Sequence, residues 1–222
     1  MTNERLSVPQ RSIKDAAHTF AKAGISAIPI VGGSAAELFQ FIVQPPLDKR
    51  REHWMTVVGE KLKELETKGL KLETLQNHQQ FISAVMYASQ VALRTHQEGK
   101  LKALQNAILN IAMNQGPDET TQHIFIQFVD DLTELHLRIL KLFQAPPSIS
   151  DVSMGGLDLV LTQNIPELLG HQDLYLQLWK DLFSRGLVNT AGLNVLMMGE
   201  GFTAKRTTEM GDAFLKFITE SP

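Results

Sequence analysis

Across residues 48–143 the apolar side chains recur at spacings of three and four, and that periodicity constrains the fold more than any other feature of the chain. Trp54, Val57, Val58, Leu62 and Leu65 form one stripe among Lys49, Arg50, Arg51, Glu52, Glu60, Lys61, Lys63, Glu64 and Glu66. A single apolar stripe on a charged cylinder is a helix packed on one side. Lys68-Gly69 ends it, with a cation in the last turn and a glycine free to adopt the left-handed cap. A second helix is expected over residues 74–97, with Phe81, Ile82, Val85, Met86, Ser89, Ala92 and Leu93 turned inward. Gly99 breaks it, and a third helix follows through Leu101, Leu104, Ile108 and Ile111 to Gly116-Pro117. Asp118 then caps a fourth, which reaches Phe143 through Phe125, Phe128, Leu132, Leu135, Ile139 and Leu140 before Pro146-Pro147. Four long amphipathic helices with short connections predict an all-α helical bundle. Trp54, Leu62, Phe81, Phe128 and Phe217 are its expected core residues.

The flanks differ from this pattern. Ser12 is placed to cap a helix over 13–23, and residues 23–36 carry no charge at all. Pro29 interrupts that stretch and Gly32-Gly33 supplies a turn, after which Leu38, Phe39, Phe41, Ile42 and Val43 continue to Pro45-Pro46. An N-terminal apolar helical hairpin over 23–43, ended by the two prolines, is the expectation. Its uncharged part, residues 23–36, is shorter than the ~20 apolar residues needed to span a bilayer, and the longer run to Val43 contains Glu37 and Gln40 and is broken by Pro29. Burial in a core or an oligomer contact is the favoured role for it. Insertion into a membrane, with Lys49, Arg50 and Arg51 meeting anionic head groups, is the alternative.

Beyond the bundle, residues 148–156 read as a polar hinge. A short helix near 157–161, a turn at Asn164-Ile165-Pro166 and a helix over 173–185 follow. Residues 193–198 are a strand candidate that Gly199-Glu200-Gly201 would turn back on residues 202–205 as one small β-hairpin. Thr207 or Thr208 caps a last helix whose inner face is Met210, Ala213, Phe214, Phe217 and Ile218. The expected organisation is a bundle over 1–147 and a C-terminal unit over 148–222, which shares the helix 118–143.

Composition narrows the chemistry. The 222 residues are 43% hydrophobic and 20% charged, enough for a core and too apolar for wholesale disorder. With no cysteine there is no disulfide, thiolate metal site or cysteine nucleophile. A net charge of -3 removes a global electrostatic case for nucleic acid. In the helix 173–185, Asp173 and Asp181 would repel phosphate, and Lys205 and Arg206 are too few to compensate. Residues 1–10 lack the apolar centre of a signal peptide, so a cytoplasmic location is expected. The seven histidines are scattered without metal-ligand spacing and are expected at surface or boundary positions. Gly32-Gly33-Ser34 lacks the phosphate-binding lysine, and no nucleophile elbow occurs. No enzyme activity, cofactor, metal or small-molecule substrate is therefore expected.

Asp130, Asp131 and Glu134 read as a solvated acidic face. Arg94, His96 and Glu98 form a candidate polar switch. His96 continues the inner stripe of the second helix, and Arg94 stands four residues before Glu98. The plainer reading is a satisfied boundary histidine at a helix corner. Asn106 and Asn110 lie away from Leu104 and Ile108, where they either bond another helix or face water.

Leu182-Phe183-Ser184-Arg185-Gly186-Leu187-Val188, followed by a turn-rich stretch and Thr207-Thr208-Glu209-Met210-Gly211-Asp212-Ala213-Phe214-Leu215, resembles the closing half of a winged-helix domain. Leu137-Arg138-Ile139-Leu140-Lys141-Leu142-Phe143 is similar to the opening helix of such domains. The whole chain also resembles a widespread group of bacterial helical proteins of uncharacterised function, and its apolar corner and winged-helix-like tail are similar in outline to proteins called abortive-infection alpha-like. The stretches that carry this likeness are Ile28-Pro29-Ile30-Val31-Gly32-Gly33, Lys49-Arg50-Arg51-Glu52-His53-Trp54 and residues 207–218. The resemblance implies a non-enzymatic bacterial protein that acts through a protein partner or self-association in stress or phage defence, and it brings no catalytic or ligand residue. Lys49, Arg50, Arg51, Lys205 and Arg206 are the candidate interaction surface. A membrane effector built on 23–43 and a DNA-binding regulator are the alternative functions.

Overall fold

The computed structural model describes residues 34–148 and 154–219, with residues 34–45 as backbone alone. The helix expected over 13–23 and the corner at Pro29 and Gly32-Gly33 lie outside the described residues. The chain divides into two compact units between Leu47 and Asp48. Helix α1 spans Ser34–Thr67 and runs through Pro45 and Pro46, where a stop was expected. Each proline lacks the N–H that would bond four residues back, but its fixed φ suits a helix. The pair therefore removes two hydrogen bonds without ending the element.

In the second unit α1 buries Trp54, Val58 and Leu65, while Leu62 packs half-buried at the edge of the core. The Trp54 indole donates to Ser89 Oγ at 2.9 Å. Gly69 takes the left-handed conformation, and Leu70 N–H closes back on Leu65 O at 3.0 Å, as Lys68-Gly69 foretells. Six further helices follow from there to the C-terminal half: α2 Leu72–Leu75, α3 Gln79–Arg94, α4 Glu98–Ala112, α5 Glu119–Asp131, α6 Glu134–Gln144 and, after a short strand β1 Met154–Gly155, α7 Leu157–Asn164. A 3-10 turn at Pro166–Leu168 leads to α8 Gln172–Ser184, strand β2 Met197–Met198, a second 3-10 turn Gly199–Phe202 and α9 Glu209–Ile218. Among the described residues these nine α-helices and one two-stranded sheet make a predominantly helical fold.

Three boundaries differ from expectation. Helix α3 is shorter than the span 74–97, and its buried face is Phe81, Ala84, Ala88, Val91 and Ala92. Met86 is 62% exposed. The small alanines admit the neighbouring helices α4 and α5, so the packed face is rotated from the one its larger side chains suggest. The helix expected over 118–143 is two, because Leu132 and Thr133 are extended and Thr133 starts α6. Asp118 caps α5 as expected, accepting Thr121 N–H at 3.1 Å.

The third difference is the sheet. Residues 193–198 do not turn back on 202–205. Instead β2 pairs antiparallel with β1, Met154 opposite Met198 and Gly155 opposite Met197, so part of the expected hinge 148–156 is a strand. Val188 bridges Thr207, and Asn189 N–H bonds Arg206 O at 2.8 Å, closing the loop between them at its base.

Helix α9 is fixed at both ends. Thr208 caps it by accepting Gly211 N–H at 3.0 Å and itself donates to Gly186 O at 2.6 Å. A Cβ on Gly211 would stand 2.2 Å from Leu187 O, so the helix start can lie this close to the turn after α8 only with glycine there. Phe214 and Phe217 then meet Phe125 of α5 at ring distances of 5.3 and 5.6 Å, and Phe214 meets Phe128 edge-on. At the far end, buried Asn106 donates to Ile218 O at 2.9 Å. Asn110 donates to Phe217 O at 2.8 Å and Thr219 O at 3.1 Å. Of the two readings of these asparagines, bonding to another helix is the observed one: they satisfy the carbonyls that a helix C-terminus leaves unpaired.

Candidate functional site

The densest polar cluster joins α3, α4, α5, α6 and α8. Lys100 is buried, and its ammonium donates to Asp130 O at 2.6 Å, where a cation completes the end of α5. Burial pushes the Lys100 pKa down, an effect opposed by the nearby Asp130 carboxylate. Arg94 Nη2 meets Asp130 Oδ2 at 2.6 Å, and Arg185 Nη1 meets Asp131 Oδ2 at 3.2 Å while lying over the Phe128 ring. Glu134 Oε1 accepts Gly99 N–H at 2.6 Å, at the start of α4. Asp130, Asp131 and Glu134 are therefore not the freely solvated face expected of adjacent helical carboxylates, because each has a cationic or N–H partner from another element.

The same cluster holds His136, which is buried, unlike the boundary position expected of the histidines. Its Nδ1 accepts Thr133 N–H at 3.0 Å, the place a glutamate or glutamine takes in a capping box. Its Nε2 lies 3.5 Å from Asp181 Oδ2, too far for a good hydrogen bond. Burial lowers the His136 pKa, and Asp181 opposes that shift. These contacts fasten five helices together.

The polar switch expected at 94–98 is not assembled. Helix α3 ends at Arg94, Thr95 is extended and His96 is exposed rather than continuing the buried stripe. Arg94 pairs with Asp130 and not with Glu98, which is exposed at the start of α4. Lys49, Arg50 and Arg51 are exposed on α1, where Arg50 donates to Leu93 O at 3.2 Å. Lys205 pairs with Asp212 at 2.6 Å. Burial alone would raise the Asp212 pKa, but hydrogen bonds from Lys205, Thr207 and Gln144 bring it below the ordinary value. Arg206 is half-buried and donates to Gly201 O at 2.6 Å, which holds the loop 189–206 in place.

Two solvent-facing features of the described residues bear on function. On the β1–β2 ribbon, the cross-strand pair Met154 and Met198 is 55% and 66% exposed, and Leu196, two residues before Met198, is 65% exposed. Met197 points the other way and packs on the core, so the ribbon has one inner and one outer apolar face. A groove of about 480 Å³ lies between α4 and α6 above α9. Among the described residues, no group of three histidines or carboxylates is placed to hold a metal ion. No described helix is long and apolar enough to cross a membrane.

The chain is thus a predominantly helical protein with a solvent-facing methionine ribbon. Comparison with protein-family models, curated proteins and solved structures gives no match.

Proposed function

We propose that the protein is a non-enzymatic interaction module that docks a second protein chain on the outer face of its β1–β2 ribbon. The observation that carries this reading is the outward-facing cross-strand pair Met154 and Met198, with Leu196 just before the strand, each more than half exposed. An apolar patch of this kind is costly to leave in water and marks a contact surface, and methionine adapts its shape to a partner. A winged-helix-like architecture for residues 148–222 is part of the proposal, supported by α8 ending at the Gly186 turn and by the threonine-capped α9 packed against that turn.

The exposed side of α8 argues for protein over nucleic acid. It offers Asp173, Leu174 and Phe183 with Lys180 as the one lysine or arginine within the helix, a poor match to phosphate. A setting in bacterial stress or phage defence is part of the proposal and rests on the resemblance in residues 28–33, 49–54 and 207–218.

The test compares the wild-type chain with Leu196→Glu/Met198→Glu, both at exposed positions that leave the core intact. Light-scattering mass across protein concentration and crosslinked partner capture are the readouts. The wild type is expected to self-associate or retain a defined partner that the variant loses. A monomer that captures the same proteins with and without the two charges removes the reading.

A further inference from the structure

The groove between α4 and α6 has the chemistry of a binding site for an amphiphilic anion. Its wall on α6 is Glu134, Leu137, Arg138 and Lys141, at spacings of three, four and seven, which place all four on one helix face. Seven residues at 1.5 Å each make a trough about 10 Å long. Its floor is Ala103 and Asn106 of α4 with Leu215 and Ile218 of α9, all buried, and the Asn106 amide donates to Ile218 O, which leaves a mainly apolar floor. The rims are cationic, Lys102 on the α4 side and Arg138 and Lys141 on the α6 side, and all three are exposed. Arg138 shares its charge with Glu167, whereas neither Lys102 nor Lys141 makes an ion pair among the described residues. Glu134, the one acid in the wall, already accepts Gly99 N–H. An apolar floor between free cations is unexpected on a chain whose net charge is -3.

Size selects among occupants. A volume of about 480 Å³ falls within the usual range for small-molecule sites. A helix seated in a trough about 10 Å long and one helix wide would meet on the order of 100 Å², far below the roughly 800 Å² per partner of a stable protein interface. We propose that this groove binds a medium-chain fatty carboxylate, with its acyl chain along Leu137, Leu215 and Ile218 and its head group held by Lys102 and Lys141.

The test titrates the full chain with decanoate below its micelle concentration, and in parallel with decyltrimethylammonium, which carries the same chain and the opposite charge. Saturable one-to-one binding of decanoate is expected, with no saturable binding of the cation. Lys102→Glu/Lys141→Glu should weaken decanoate by about tenfold or more, equivalent to about 1.4 kcal/mol. Both positions are exposed, so the fold is retained, and Leu196→Glu in the ribbon should leave decanoate binding unchanged. The absence of saturable decanoate binding, equal binding of the two head groups, or indifference to the charge reversal would each overturn the proposal. Saturable capture of an acidic amphipathic peptide in place of decanoate would overturn it in favour of helix docking.

Discussion

Replacing Asn110 with leucine tests how the last helix is held. The Asn110 amide donates to Phe217 O at 2.8 Å and Thr219 O at 3.1 Å, with Lys216 O further away at 3.4 Å. An amide NH₂ has two hydrogens, so two of these contacts carry the bonding. Leucine keeps the branched outline with the same number of heavy atoms and removes both donors. Phe217 is buried, which strands its carbonyl without water at a cost of about 1–3 kcal/mol, while Thr219 is exposed and its carbonyl recovers a water partner. The loss of net hydrogen bonding adds roughly 0.5–1.5 kcal/mol, for a total of about 2–4 kcal/mol. With a urea slope of about 2 kcal/mol/M, the midpoint should fall by about 1–2 M at constant slope. Helical circular dichroism during urea unfolding measures it. A midpoint within the error of wild type would refute the assignment of Asn110 as the cap of α9.

Other outcomes follow from the same structure. Gly211→Ala sets a Cβ 2.2 Å from Leu187 O, and the forced backbone shift should cost about 1–3 kcal/mol in the same unfolding assay; a neutral variant would contradict the close approach of α9. Phe81→Ala should destabilise by about 3 kcal/mol whereas Met86→Gln should be nearly neutral in thermal melts, and the reverse order would mean a different face of α3 is packed. Burial holds the His136 pKa below its unfolded value near 6.5, against Asp181 and with Arg185 and Lys100 adding to the depression. A base with a lowered folded pKa carries no penalty above about pH 7; as pH falls through its unfolded value, the unfolded chain gains a proton the fold refuses, and stability drops. His136→Gln keeps an acceptor for Thr133 N–H, so it should match wild type at pH 8 and lose less stability on titration toward pH 5.

What the sequence makes legible is what local periodicity and caps control. The stripe from Trp54 to Leu65, the glycine cap at Gly69 and the aspartate cap at Asp118 all depend on neighbours within one or two turns, and the structure keeps them. The break at Leu132-Thr133 is hidden because Phe128, Leu132, Leu135 and Ile139 keep helical spacing straight across it. Its one local signal is Thr133 with a side-chain acceptor three residues on, His136, in the place where glutamate or glutamine is usual. On α3, Ala84 and Ala88 are less apolar by type than Met86, so composition alone favours the wrong face. The ribbon was out of reach for another reason: β1 and β2 are two residues each, and their pairing joins positions more than forty apart in sequence. The site residues divide likewise. The positive charge of Lys205 and Arg206 is legible in the sequence, but the half-burial of Arg206, the engagement of the pair with Asp212 and Gly201 O, and the burial of Lys100 and His136 exist only once distant segments meet.

The most direct test of the proposed docking surface is photo-crosslinking from position 196 in living cells, with Lys63 on the exposed side of α1 as the control position. The ribbon account predicts a discrete crosslinked species from position 196 that is absent from position 63. No adduct from 196, or the same mixture from both positions, would contradict it.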